Sequence, residues 1–516
     1  MSCSKIFLGD LPELTYEIIK YFHNDYSTLY SCIFVNRLWC RLAIPLLWEN
    51  PFSIRTGNYD FIEIYLYYNL NNDFIAKLYE YKTINNSLLS TNTLFNYLSF
   101  LKYLNTYELY TSVDKWLCSA IRNSKFRIGT DVTELYVKRL VHMSLFKIFI
   151  ENEVNLHTLE IEIYYVAILN KILELILQNQ NFIHNIGNLK LYIKDNDYTI
   201  INNHYVLQMI HLHQNLKKIS LYGDYLSLYQ SLLLSKDYNC SNTLNTIIFY
   251  YIDFGKIINL DKIFEQLNVL ESVHIVYCSS LNSFIQQINN LTKPFKLESL
   301  ILDDVPQIES LQQLLLKSGD YLKNFGGKNY CTKLVLSQLL KNCNNINFLY
   351  FDRYEKYENA FTTLQKINLI ESIKQSLNYL TINIYDDEFE SKYLTICSSN
   401  ILKNLGQILP SKLDYVSLSF IIKESDFRVF LENSQYIFIN KLLINLKSGS
   451  DDILHYIKEY IMKEKRVKYL AIKDSEKELF DLKDEVREFK LHNIIVRRHS
   501  VLSIGSIYDF IIRNID

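Results

Sequence analysis

Two histidines two residues apart, His211 and His213, have the residue type for a metal site. On a helix that spacing points the rings apart, and no second histidine pair or Cys-x-x-Cys stands nearby to complete a ligand set. Cys240, Cys278, Cys331, Cys343 and Cys397 are scattered without ligand spacing. Carboxylates cluster at Asp386-Asp387-Glu388, after a strand-like stretch, and at Asp451-Asp452, before a helical one. Beside a helix N-terminus such groups suit the backbone dipole better than acid–base work. Gly326-Gly327-Lys328 lacks the upstream glycine of a phosphate loop. Cys32 and Cys118 fall in apolar helical stripes, the setting of inert core thiols. The expectation is a non-enzyme: no catalytic residue, no metal, no cofactor.

What must then carry function is surface, and composition constrains which surface. A chain of 516 residues is too long for one compact core, so several units or a repeat array are expected. Twelve glycines and six prolines argue against a turn-rich β-sandwich, and asparagine pairs such as Asn202-Asn203 and Asn344-Asn345 take the turn positions. A net charge of −2 gives no electrostatic footprint for nucleic acid. No apolar run of about 18 residues exists to span a membrane, and the N-terminus has no signal-peptide core. Nine scattered cysteines read as reduced thiols, which predicts a cytoplasmic or nuclear protein.

Residues 11–48 carry three short helical stripes. Pro12 suits a first helical turn, with Asp10 before it as a cap, and Leu14, Ile18, Ile19 and Phe22 share one face. Ser27 or Thr28 caps a second stripe through Leu29, Cys32, Ile33 and Asn36. Trp39, Leu42 and Leu46 begin a third. So small a unit cannot bury all its apolar surface alone, which predicts a partner. Leu11-Pro12, Ile18-Ile19, Leu29, Val35-Asn36-Arg37-Leu38-Trp39 and Leu47-Trp48 follow one another in the order of an F-box, which this segment resembles. The resemblance implies docking to the Skp-type adaptor of a cullin-RING ubiquitin ligase, with Leu11, Pro12, Ile18, Ile19 and Leu29 at or under that contact.

Residues 51–150 read as a helical linker region. Phe61-Ile62, Tyr65-Leu66 and Tyr68 make one stripe; Leu94, Tyr97-Leu98, Leu101 and Leu104 make another. From residue 156 the pattern aliphatic-x-x-aliphatic-x-aliphatic recurs, as in Leu156 to Ile161, Leu216 to Leu221, Leu270 to Ile275 and Leu297 to Leu302. Later copies run to Ile439 to Ile444, Val467 to Ile472 and Val486 to Leu491, at spacings of roughly 24 to 36 residues and 19 before the last. Intervals such as 166–177 and 307–316 have helical spacing. That alternation is the signature of leucine-rich repeats, and it predicts thirteen parallel strands about 4.8 Å apart. The ninth position of each copy should hold Asn or Cys; Cys278 fits, Asp224 less well, and Tyr164, Ile252 and Val305 do not.

The whole chain is similar to an expanded fungal family of F-box/leucine-rich-repeat proteins, on the stretches Phe149 to Ile161 and Tyr456 to Met462. The implied fold class is α/β: an F-box at residues 8–50, a helical linker region at 51–150, and an irregular leucine-rich-repeat solenoid at 151–516. Its parallel strands would line a concave face and its helices a convex one. The implied function is target recognition within a Skp-cullin-F-box ligase; the alternative is a ligase-independent interaction scaffold. Non-aliphatic strand positions should face the concave side and contact a protein target of unknown identity. In the first copies these are His157, Glu160, Lys217, Ser220 and Tyr222. Further along they are His274, Tyr277, Asp303, Tyr350 and Arg353, then Tyr379, Asn383, Tyr415 and Ser417.

Overall fold

The computed structural model describes residues 12–23, 25–54, 59–67, 94–123, 131–163, 166–193, 203–213, 215–222, 241–303, 306–328, 333–352, 360–384, 391–474 and 477–514. Two compact units divide the chain, Met1–Asn245 and Thr246–Asp516.

The first unit opens with α1 (Pro12–Lys20), α2 (Tyr26–Cys32) and α3 (Arg37–Leu47). Ile19, Leu29, Cys32, Trp39, Ala43, Leu46 and Leu47 form their shared core. The α2 cap is Asp25, not Ser27 or Thr28: its carboxylate accepts from the Thr28 amide (3.1 Å) and hydroxyl (2.7 Å), and its pKa is lowered by them. Asn36, expected on the second stripe, instead caps α3 by accepting from the Trp39 amide at 2.9 Å. A short side-chain acceptor satisfies the free amides of a first turn better than it packs in a core.

Trp48 ties this module to the next segment, packing at a tilt on Tyr97 at 4.1 Å and meeting Tyr65 edge-on at 5.3 Å. There α4 (Phe61–Tyr67), α5 (Thr106–Asn123) and α6 (Asp131–Glu151) pack together, with Trp116 donating to Glu63 at 3.1 Å. The stripe Leu94 to Leu104 is not a helix. Tyr97–Phe100 is a single 3-10 turn, and β1 (Tyr103–Asn105) follows it. Leucines three apart fit either structure; β1 forms because Lys102 offers its carbonyl to the amides of His157 (2.7 Å) and Thr158 (3.0 Å). Strands β2 (Thr158–Ile163), β3 (Asn188–Ile193) and β4 (Leu216–Tyr222) continue the sheet in order, all parallel. Helices α7 (Val166–Gln178), α8 (Gln180–His184) and α9 (Asn203–His213) lie between them in the chain.

In the second unit ten strands follow one another in sequence order: β5 (Thr246–Tyr250), β6 (Ser272–Cys278), β7 (Leu297–Leu302), β8 (Asn324–Lys328), β9 (Phe348–Asp352), β10 (Tyr379–Asn383), β11 (Lys412–Phe420), β12 (Phe438–Leu446), β13 (Val467–Lys473) and β14 (Ile495–Val496). Between them run α10 (Leu260–Gln266), α11 (Leu281–Ile288), α12 (Ile308–Ser318), α13 (Lys333–Asn342), α14 (Ala360–Ser372), α15 (Ser391–Ile408), α16 (Glu424–Asn433) and α17 (Leu454–Tyr456), extended by a π-helical turn at Ile457–Met462. Leu300, Leu349, Leu380, Leu418, Leu442 and Leu470 alternate with outward residues and are fully buried, and consecutive helices α12 to α16 pack side by side. No strand–helix pair could bury its apolar face alone, so stacking builds the core.

One copy of the repeat pattern is not a strand. Val486 to Leu491 lies within α18 (Lys483–Leu491), and the strand comes four residues later as β14. Val486 and Phe489 are three apart, a helical spacing too, and Asp484 and Glu485 in the first turn with Lys490 in the last suit the helix dipole. The chain then turns through α19 (His499–Leu502) into α20 (Ile507–Arg513), which Ser506 caps by accepting from the Asp509 amide.

Candidate functional site: the helix-free strand face

In β7 to β13 every second side chain points away from the helices, and the parallel register stacks these into rows. One row is Ser299, Asn324, Phe348, Tyr379, Tyr415, Lys441 and Tyr469; the next is Ile301, Gly326, Tyr350, Thr381, Ser417, Leu443 and Ala471. Tyr350, Tyr379, Tyr415 and Ser417 therefore share one face of the sheet, and Asn383, two residues past Thr381, lies on it too. A third row is polar, where Asn383 donates to Asp352 at 2.7 Å and Tyr350 to the same carboxylate at 2.8 Å. Burial beside Asp352 raises the Tyr350 pKa strongly, so this phenol stays a donor.

The face is already covered. Leu502 and Ile504 pack on Tyr415, Leu443 and Ala471. The Ile504 amide donates to the Tyr415 hydroxyl at 3.3 Å. Helix α20 then sets Ile507 and Ile511 against Val276, Tyr277, Ile301 and Phe348. Phe510 stacks on Phe348 at 4.6 Å and meets Tyr379 at 5.0 Å, while Tyr508 stacks on Tyr250 at 4.1 Å. Gly326 lets the Tyr350 side of β9 approach β8: a Cβ there would stand 2.7 Å from the Tyr350 carbonyl oxygen and 2.8 Å from its Cβ. Tyr277 reaches the face through a bulge at φ 53, and Tyr251, at φ 52, stacks on it at 5.3 Å.

The other expected contacts divide by burial. Ser220 and His274 have no exposed surface. His274 is held in a polar ladder, its Nδ1 2.7 Å from the Ser299 hydroxyl, which also accepts from Asn324 at 2.8 Å. These residues build the sheet and offer a target nothing in this arrangement. Asp303 is half-buried, and Arg353 lies outside the described residues. In the first unit His157 and Lys217 are exposed and Tyr222 is half-buried. Glu160 pairs with Lys190 at 2.9 Å and accepts from Asn105 at 3.1 Å. A register shift at β3–β4 brings Lys218 opposite Lys190, so Lys217 is the extra residue of that bulge.

A second surface lies on the N-terminal module. Pro12 is exposed and Leu11 lies outside the described residues. Ile18 is 40% exposed, whereas Ile19 and Leu29 are wholly inside. Tyr21 (89%), Tyr30 (60%) and Phe34 (72%) stand out with Ile18, and Leu14 and Val35 are half uncovered beside them in sequence. Helical spacing could not separate Ile18 from Ile19, nor could it single out Tyr21, Tyr30 and Phe34. The tail escaped the repeat pattern entirely. A helical period in Ile507, Tyr508, Phe510 and Ile511 was its one signal.

Several described residues with chemical potential are committed to structure. His213 Nε2 lies 2.8 Å from the Ile186 carbonyl, and its Nδ1 accepts from the Asn215 amide at 3.1 Å, which places the proton on Nε2. Burial lowers its pKa. The Asp451 carboxylate takes Lys423 at 2.9 Å and the Glu424 amide at 3.0 Å; Asp452 takes the Leu454 amide at 2.9 Å. Both line a cleft of about 510 Å³, whose Asp474 and Glu478 accept from the amides of Lys477 and His499. Gly326 and Gly327 are strand residues. Burial pushes the Cys278 thiol up to about 12. It donates to the Val276 carbonyl at 3.5 Å, the backbone-satisfying part expected of a ninth repeat position. Asp386, Asp387, Glu388, Cys240 and Cys331 lie outside the described residues. Among the described residues no cluster of His, Cys, Asp and Glu could hold a metal ion, and no helix is long and apolar enough to cross a membrane.

Comparison with family models and with curated proteins gave no match.

Proposed function

We propose that the protein is the target-recognition subunit of a Skp-cullin-F-box ubiquitin ligase, its N-terminal module docking a Skp-type adaptor and its repeat array holding a protein target. The observation that carries the reading is the uncovered apolar set Ile18, Tyr21, Tyr30 and Phe34 on a module whose own core is already complete. Aromatic side chains left in water on a small helical unit mark a protein contact. The outward strand face supports the second half: its tyrosines, now packed under Leu502 to Ile511, would offer large contact area with polar tips once that segment is displaced. Catalysis by such a subunit is proximity: it raises the effective concentration of target lysines at a ubiquitin thioester carried by another protein.

The test is capture of a purified Skp-type adaptor by the full chain and by Ile18→Asp/Phe34→Asp. Both residues are exposed, so the double variant should keep its circular dichroism and melting curve while losing adaptor affinity at least tenfold. A folded wild type that captures no adaptor removes the ligase from the account and leaves an interaction scaffold.

A further inference from the structure

We infer that the helix-free strand face of the second unit is a groove for an amphipathic helix, and that α20 is its resident, displaceable occupant. The target class is then a helix with aromatic and branched aliphatic side chains at i, i+1, i+3 and i+4. The role as a target site rests on the ligase reading above; the groove itself does not.

Four observations carry this. Ile507, Tyr508, Phe510 and Ile511 have that spacing, which gathers them on one side of a helix, and three of the four are buried. At seven residues α20 is too short to hold helical form in water by itself, so the groove is what orders it. The aliphatic core of the array lies on the other side of the strands, where Leu300, Leu349, Leu380 and Leu418 are buried, so removing α20 uncovers Val276, Ile301 and Phe348 but leaves that core closed. The groove is also built at a local cost: Tyr251 and Tyr277 hold left-handed backbone, a conformation that side chains resist, and their rings stack on each other and lean against Tyr250, on which Tyr508 stacks.

The tether permits exchange. Gly505 separates α19 from α20, and nothing lies within 4 Å of where its Cβ would be. A tethered helix competes at high local concentration, so an incoming helix must match its side-chain pattern to displace it. The strand face would thus select targets against a built-in competitor.

A fluorescein-labelled peptide of residues 499–516 is titrated into the full chain and into full-length Tyr508→Ala/Ile511→Ala. The variant should bind it saturably at least tenfold tighter than wild type, because its own helix no longer competes. A folded variant that binds no better than wild type overturns the groove. Hydrogen exchange on the wild type gives a reading that needs no variant. Amides of Ile507–Arg513 should exchange at least a hundredfold faster than those of Lys412–Phe420. Equal rates would mean that the helix leaves only when the unit unfolds, and would overturn displacement. Peptide binding without adaptor capture sinks the ligase reading and keeps the groove; adaptor capture without peptide binding does the reverse.

Discussion

Ile18 and Ile19 are neighbours of the same type with opposite fates, and a helix period explains why. One residue step turns 100° around the axis, enough to move a side chain from the core to water. His142 shows the same logic for a titratable group. It sits between Tyr110 (5.8 Å) and Phe146 (5.5 Å), almost wholly out of solvent, and a hydrogen bond with the Thr106 backbone only partly offsets that burial. Burial, helped by the Lys138 charge, pushes its pKa down to about 4. The unfolded chain takes that proton near 6.5 and the folded chain does not until about 4, so acid favours unfolding across that window. Stability from this group is fully present above pH 6.5 and falls by up to about 3 kcal/mol as the pH drops to 4. His142→Phe should flatten that part of the melting-temperature profile of the first unit. An unchanged slope between pH 6.5 and 4 would show that other groups set it.

At the scale of elements, the repeat pattern located β2 to β13, because each strand must alternate a buried aliphatic with an outward residue. Periodicity misled where two periods coincide: the helical stripe Leu94 to Leu104 ends in β1, which a distant partner strand decided, and the repeat copy Val486 to Leu491 lies in α18. The outward face carries its own constraint at Gly326. Gly326→Ala must move the Tyr350 backbone or distort β8; we expect a loss of about 1–3 kcal/mol in chemical denaturation, as for overpacked cores. A substitution costing under about 0.5 kcal/mol would mean that the strand relaxes freely. Helix α20 is close to balance. Burying three apolar side chains contributes roughly 4.5–9 kcal/mol. Ordering seven residues costs about 10 kcal/mol at roughly 1.5 each. An element so placed is held or released by small changes in what competes for its groove.

For the whole molecule, the proposed adaptor module belongs to one compact unit and the covered strand face to the other. Damage in one unit should therefore leave the other's contact intact. Leu418 is fully buried in β11, and Leu418→Ala should cost about 2–5 kcal/mol and raise amide exchange in β10 to β12. Repeat arrays lose stability locally, through neighbours, so adaptor capture by α1 to α3 should stay within twofold of wild type. Loss of capture in that variant would show the two units to be coupled.

The residues alone determined the α/β class, the parallel repeat and the three N-terminal helices, because each rests on local periodicity and on caps within a few positions. They also placed Tyr350, Tyr379, Asn383, Tyr415 and Ser417 on one face, since strand parity is a local property. Tertiary structure decided which of two adjacent isoleucines meets water, which outward residues are buried in the sheet, and where α20 lies. Those outcomes depend on contacts between segments apart in the chain, from Ile19 on Leu29 and Leu46 to Tyr508 on Tyr250, and no spacing within either segment encodes its partner.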